Sequence, residues 1–259
     1  MNIELRNTGH FEYIEEGTGE PLLLLHGLFG ALSNWASVLD EFAKTHRVLI
    51  PLMPIYTNTK VSATVEGLAH FVADFVKHKE LTGIHVLGNS LGGHIALLLA
   101  LNHPERLATL LLTGSSGLFE SGMGSGFPKR GDYQYIKDRV EYTFYNPQTA
   151  TPQLVDEVFE IVNDSNKALR VIQIARAAQR QNMRAEIKKI TVPTCLIWGL
   201  NDNITPSHVA HEFNQLIINS ELHFIDHCGH APMMENPALF NKIVRNFLQR
   251  HSVFHSVNS

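Results

Sequence analysis

"VLGNSLGGHIALLLA", residues 86–100, is the stretch that decides the fold. Its left side ends the short apolar run "IHVLG" at 84–88, and its right side opens the nearly all-apolar "SLGGHIALLLALNHP" at 90–104. Between them Ser90 stands with Gly88 and Gly92 two positions away on either side. Serine weakens a helix interior and glycine weakens both strand and helix, so the three residues cost stability unless a tight turn needs them. A strand passing directly into a buried helix supplies that need, and the pattern G-x-S-x-G fits it. On such a turn the serine is strained, and the small neighbours keep backbone from colliding with it. Its hydroxyl is lifted above the sheet, beside the free N–H groups and positive dipole of the following helix. Those surroundings suit a nucleophile.

Working outward, "PLLLLHG" (21–27), "RVLIP" (47–51), "LATLLLTG" (107–114), "PTCLIWG" (193–199) and "ELHFID" (221–226) are short and mostly non-alternating. Strands buried on both faces of a parallel sheet read this way. Amphipathic segments lie between them. Val65, Leu68, Ala69, Val72 and Val76 mark one helix. Val209, Phe213, Leu216 and Ile217 mark another, with Thr205 and Pro206 predicted as N-cap and first residue, and Leu239 to Leu248 mark a last one. The opening "IELRNTGHFEYIEEGTGEP" (3–21) alternates and carries glycine turns, which predicts an antiparallel hairpin at the sheet edge. The expected fold class is α/β, a mostly parallel, doubly wound sheet of about eight strands.

Residues 118–189 break this alternation. The loop "SSGLFESGMGSGFPKRGD" (115–132) leads into helical patterns near 133–144, 152–162 and 166–184, and Thr151-Pro152 marks a clear helix start. The predicted organisation is a core of residues 1–117 and 190–259 with a helical cap at 118–189. An insertion between two strands of an open α/β sheet belongs over their carboxyl ends, where ligands bind. The alternative is an appendage that only stabilises the sheet.

Bulk properties narrow the partners. The 259 residues are 44% hydrophobic and 18% charged with a formal net charge of −4, leaving no basic field for a nucleic acid; the short "IKKI" at 187–190 is the densest basic run. No stretch reaches the ~18 apolar residues of a membrane span, and the first residues lack the pattern of a signal peptide. Cys195 and Cys228 suit a reducing compartment, so the expected location is the cytoplasm. The 15 histidines are scattered, with none at zinc-site spacing to a Cys or Glu, so no metal and no cofactor is expected. The partner expected is a small-molecule substrate, and nothing in the sequence encodes an oligomeric state.

A serine hydroxyl needs a base and a group that orients the base. His230, in "DHCGHAPMMENP" (226–237), lies past the last strand. Asp202, in "WGLNDNITP" (198–206), also projects from a strand's carboxyl end. The order Ser90, Asp202, His230 is that of this kind of hydrolytic site. Asp226 and Glu235 compete for the orienting role; Asp202 ranks first because it approaches the imidazole from outside the histidine's own loop. The oxyanion donors should be the backbone N–H groups of Leu91 and of Leu28, in "HGLFG" (26–30).

These stretches together resemble the α/β-hydrolase superfamily: "HGLFG", "GNSLGG", "WGLNDNITP" and "GHAPMMENP" stand in the usual order, and the resemblance covers essentially the whole chain. It implies the Ser90-Asp202-His230 triad. It departs where relatives follow "RVLIP" with an acidic residue and a glycine-rich turn, since "LMPIYTNTK" (52–60) has neither. Asn89 and the helical cap look like meta-cleavage-product hydrolases, which break a carbon–carbon bond in dienoates. That family usually carries tryptophan after the histidine and small residues in the oxyanion loop, whereas this chain has Ala231 and Leu28-Phe29. Arg176, Arg180 and Arg184 are candidates for its substrate-carboxylate arginine. The reading is therefore hydrolysis of carboxylic esters with small or medium apolar acyl groups, with the carbon–carbon hydrolase as the alternative and a slow-turnover ligand receptor or scaffold as the alternative from another class. Phe29, Asn89, Phe127 and Phe144 are the substrate-binding candidates, with Tyr133 and Met183 as further large residues of the insertion.

Overall fold

The computed structural model describes residues 4–30, 32–57, 60–121 and 129–252. In chain order the strands are β1 (Leu5–Asn7), β2 (Glu12–Glu16), β3 (Glu20–Leu25), β4 (His46–Pro51), β5 (Ile84–Asn89), β6 (Leu107–Thr113), β7 (Thr194–Gly199) and β8 (Ser220–Ile225). The helices are α1 (Ala36–Phe42), α2 (Val65–His78), α3 (Leu91–Asn102), α4 (Tyr133–Glu141), α5 (Pro152–Asn163), α6 (Ser165–Arg180), α7 (Arg184–Ile187), α8 (Ser207–Leu216), α9 (Pro232–Glu235) and α10 (Pro237–Arg250). One eight-stranded sheet runs β1-β2-β4-β3-β5-β6-β7-β8. The hairpin β1–β2 and the β2–β4 pairing are antiparallel, and the rest of the sheet is parallel.

The strand pleat divides the core. Leu23, Leu25, Val86 and Leu110 join one apolar cluster with α2, α3 and α8; Leu22, Leu24, Leu87 and Leu111 join the other with α1 and α10. Adjacent residues thus bury on opposite faces, which is why these runs are continuous rather than alternating. Helix α3 is buried almost all round because it packs on the sheet, against α2 and, more lightly, against α7. Strand β8 departs from the expectation of two-sided burial: it is half-buried for most of its length, because it is the edge.

Helices α4–α7 lie between β6 and β7, and no strand interrupts the described part of that segment. Thr151 caps α5 as its sequence predicts, accepting from the Leu154 N–H at 3.2 Å. The start of α8 differs. Pro206, not Thr205, is its N-cap, because the Thr205 side chain is turned to Asp202 instead.

Candidate active site

The turn between β5 and α3 is built as its composition requires. Ser90 has φ 55° and ψ −119°, a left-handed conformation costly for a residue with a Cβ. It is anchored on both sides, since its N–H donates to Thr113 O at 3.1 Å and its carbonyl accepts from Ser116 N at 3.2 Å. A Cβ on Gly92 would lie 2.0 Å from Leu25 O, and one on Gly88 would lie 2.4 Å from Gly92 O, so both positions exclude any side chain.

The loops after β7 and β8 bring Asp202 and His230 together. The imidazole Nδ1 lies 2.8 Å from Asp202 Oδ2, with the carboxylate fully buried and the histidine side chain only 8% exposed. An ionised carboxylate can only accept, so Nδ1 carries the hydrogen and Nε2 is left as the basic atom. The other contacts of Asp202 hold it in place: Oδ1 accepts from Ile204 N (2.7 Å) and Thr205 N (2.9 Å), and Oδ2 accepts from Thr205 Oγ1 (2.8 Å). On the histidine side, His230 N donates to Thr143 O at 2.9 Å, and His230 O accepts from Asn89 Nδ2 at 3.1 Å. The Asn89 amide also donates to Thr113 O, so Asn89 ties the histidine loop to β6. A Cβ on Gly114 would lie 2.8 Å from His230 Nδ1.

The competing carboxylates have other tasks. Asp226 is exposed and pairs with His227. Glu235 accepts from Gly229 N (2.7 Å) with one oxygen and from Tyr145 N (2.7 Å) with the other, fastening the histidine loop to the insertion.

The loop after β3 is equally constrained. Met53 N–H donates to His26 Nε2 at 3.3 Å, so that imidazole is neutral and its Nδ1–H faces Gly27 O at 2.9 Å; burial holds its pKa low. Tyr56 donates to Leu28 O at 2.6 Å, and burial pushes its phenol pKa up. A Cβ on Gly27 would lie 3.3 Å from the Ser90 Cβ, which measures how closely this backbone passes the serine. The departure at "LMPIYTNTK" thus supplies the supports of the loop, Met53 and Tyr56.

Ser90, His230, Leu28 and Leu91 line one cavity of about 210 Å³, along with Phe29 and Asn89. The insertion contributes Val140, Phe144, Leu154, Val158 and Val171 to its walls. Phe127 lies outside the described residues. Tyr133 and Met183 do not line the cavity: Tyr133 is exposed and bonded to Asp156, and Met183 is packed in the core. Of the three arginines, only Arg176 reaches the cavity, whereas Arg184 pairs with Glu212 at 2.5 Å.

Sequence reasoning missed six polar lining residues: Asn34, Glu120, Ser121, Arg139, Thr143 and Gln179. Glu120 stands out because the backbone around it is pinned. Gly117 O accepts from Met183 N (2.7 Å), Leu118 O from Asn182 Nδ2 (2.9 Å), and Ser121 N donates to Ile204 O (2.7 Å). Burial raises the Glu120 pKa, and its charge bears on His230. A carboxylate in a loop after the carboxyl end of a strand was the available signal. For His230 itself, burial opposes the charged form, but Asp202, with Glu120 and Glu235, outweighs it and leaves the imidazole above its ordinary pKa. Arg139 presents its guanidinium 5.3 Å from the Tyr142 ring, with a buried Nε that has no hydrogen-bond partner among the described residues.

Residues 20–141 and 150–237 match the family model of the alpha/beta hydrolase fold. The chain is 28% identical to the 2-hydroxy-6-oxo-6-(2'-aminophenyl)hexa-2,4-dienoic acid hydrolase of Metapseudomonas resinovorans, over 95% of this chain and 90% of that one. Among solved structures it is similar to MGS-MChE2, an alpha/beta hydrolase enzyme from the metagenome of lagoon sediments at Mar Chica, Morocco. That likeness has 38% identity and a TM-score of 0.77, covering 95% of this chain and 98% of that one. A meta-cleavage product hydrolase from Pseudomonas fluorescens IP01 superposes with a TM-score of 0.82 at 21% identity, over 93% of this chain and 94% of that one, a likeness of fold. With the family model matching most of its length, the chain belongs to the alpha/beta hydrolase fold family.

Proposed function

We propose that this protein is a serine hydrolase that cleaves carboxylic esters of small to medium apolar acyl groups through an acyl-enzyme on Ser90. The observation that carries the reading is the strained Ser90 sharing an apolar-walled cavity of about 210 Å³ with His230, whose imidazole is held by buried Asp202 at 2.8 Å. In this scheme Ser90 Oγ bonds to the ester carbonyl carbon while His230 Nε2 takes the hydroxyl proton. The imidazolium then passes that proton to the leaving alkoxide as the ester C–O bond breaks. Water, deprotonated by the same nitrogen, attacks the acyl-serine and releases the acid. The backbone N–H groups of Leu28 and Leu91 hold the oxyanion, each worth ~3 kcal/mol of transition-state stabilisation. Helices α4–α6 act as a cap that keeps bulk water from the acyl group, and no cofactor enters any step.

The test is hydrolysis of p-nitrophenyl acetate and butyrate by the wild type and Ser90→Ala, with fluorophosphonate labelling of both. Turnover lost in the variant, with the label on Ser90, supports the scheme. A folded wild type that takes no label sinks it and favours the receptor or scaffold reading.

Carbon–carbon hydrolysis is the second reading, favoured by two arginines, Arg139 and Arg176, among the residues lining a mostly apolar cavity, since a guanidinium suits a substrate carboxylate. The dienoic acid hydrolase at 28% identity points the same way. Against it stand Ala231 and the bulky Leu28-Phe29 pair. Faster kcat/KM on a 2-hydroxy-6-oxo-dienoate than on p-nitrophenyl butyrate would decide for this second reading.

A further inference from the structure

At the opposite end of the sheet from Ser90, three side chains converge that no sequence spacing connects. Glu20 opens β3, His46 opens β4 and His85 is the second residue of β5. β3 lies between β4 and β5, Glu20 and His46 are register partners, and the two imidazole rings meet edge to face with centroids 6.1 Å apart. All three share the pleat phase of Leu22, Val48 and Leu87, so they face α1 and α10. Their ligand atoms lie within 4.8 Å of one another. We propose that Glu20, His46 and His85 form a site for one divalent transition-metal ion of the zinc type, away from Ser90 and taking no part in the hydrolysis proposed there.

Each ligand is oriented by a hydroxyl on its far side. Thr109 Oγ1 lies 2.8 Å from His85 Nδ1, Thr45 Oγ1 lies 2.9 Å from His46 Nδ1, and Ser252 Oγ donates to Glu20 Oε1 at 2.8 Å. His85 Nε2 and Glu20 Oε2 face each other on the inner side, and second-sphere partners of this kind fix tautomer and aim in metal sites. His85 Nε2 and Glu20 Oε2 are already 3.1 Å apart, near the ~3.4 Å between ligands of a tetrahedral zinc with bonds of ~2.1 Å. His46 is half-buried, and its exposed side gives the ion an entry path and a water the fourth position. Ser90 lies five positions after His85, roughly 16 Å along β5, too far for direct action on a substrate.

A second grouping, Cys195, Glu221 and His223, also brings its ligand atoms within 4.8 Å. It is the weaker site. Burial keeps the Cys195 thiol protonated, whereas the thiolate is the ligand, and both oxygens of Glu221 are held by Arg250 at 2.6 Å.

The full chain without a histidine tag, stripped with EDTA and dialysed, should be titrated with Zn²⁺ by calorimetry and with Co²⁺ by absorption. The expected result is one equivalent per chain, a higher thermal midpoint, and a cobalt spectrum without a thiolate charge-transfer band. Half-buried His46 makes His46→Gln the variant of choice, and it should weaken binding at least 10-fold, while Thr45→Ala weakens it less and His223→Gln leaves it unchanged. Absence of binding, a thiolate band, or affinity insensitive to His46→Gln would overturn the proposal.

Discussion

Two buried carboxylate–imidazole pairs sit at opposite ends of the same sheet, and they titrate in opposite directions. Asp202 and His230 are 2.8 Å apart above the carboxyl ends of the strands; Glu20 and His85 are 3.1 Å apart at the amino ends. Burial disfavours the charged imidazole in both. At His230 the attraction of Asp202, Glu120 and Glu235 prevails and the pKa rises. At His85 burial prevails over Glu20, His251 adds repulsion, and the pKa falls. The paired groups are alike, a carboxylate and an imidazole; the number and sign of the surrounding charges decide whether the imidazole pKa lies above or below its ordinary value.

The largest effect expected, under the proposed scheme, is at Ser90, which shares the cavity with the first pair. Ser90→Ala should lower kcat on p-nitrophenyl butyrate by on the order of 10⁶-fold, measured against the uncatalysed rate. Asp202→Asn keeps the shape but presents the wrong hydrogen-bonding partner to Nδ1, and kcat should fall about 10⁴-fold. In the second pair the cost moves from rate to stability. Glu20→Ala leaves the buried, neutral His85 imidazole without its hydrogen-bond partner and should lower unfolding free energy by about 1–3 kcal/mol, read as a lower urea midpoint at unchanged m.

The titrations sharpen the comparison with smaller effects. The base must be neutral, so kcat/KM should rise with pH along a limb whose midpoint lies above the ordinary histidine value, because the His230 pKa is raised. Glu120→Gln removes one of the charges that raise it and should move that midpoint down; an unchanged profile would show that Glu120 does not act on the imidazole. For stability the sign is opposite at the lowered histidines. His26, His85 and His94 are buried with depressed pKa values, His94 at about 4, so the unfolded chain binds more protons than the folded one. Their contribution is present above the ordinary histidine pKa of ~6.5 and is lost as pH falls through the folded values, so the urea midpoint should drop between about pH 6.5 and pH 4.

Much of the fold was legible because its strands are short, continuous and apolar. "PLLLLHG" and "IHVLG" predict the positions of β3 and β5, and the hairpin alternation predicts β1 and β2. The misread cap of α8 has a local cause: Thr205-Pro206 reads as a helix start, but a hydroxyl beside a buried carboxylate gains more from Asp202 than from a backbone N–H. The strand-end positions of Ser90, Asp202 and His230 were legible for a related reason, since each follows an apolar run that stops abruptly. Glu120, Arg139 and Gln179 were not, because which face of a loop or an amphipathic helix turns toward the cavity depends on how the insertion packs.

The sequence by itself determined the alternation of strand and helix, the left-handed turn that only Gly88 and Gly92 allow around Ser90, and the order of the residues that follow. Periodicity and backbone sterics act over a few residues and can be read locally. Only the tertiary structure decided that Asp202 and His230 meet at 2.8 Å, that the walls of the insertion leave about 210 Å³ over Ser90, and that Glu20, His46 and His85 face one another across three strands. These are distances between residues far apart in the chain, set by strand order and register, and local sequence pattern carries no term for them.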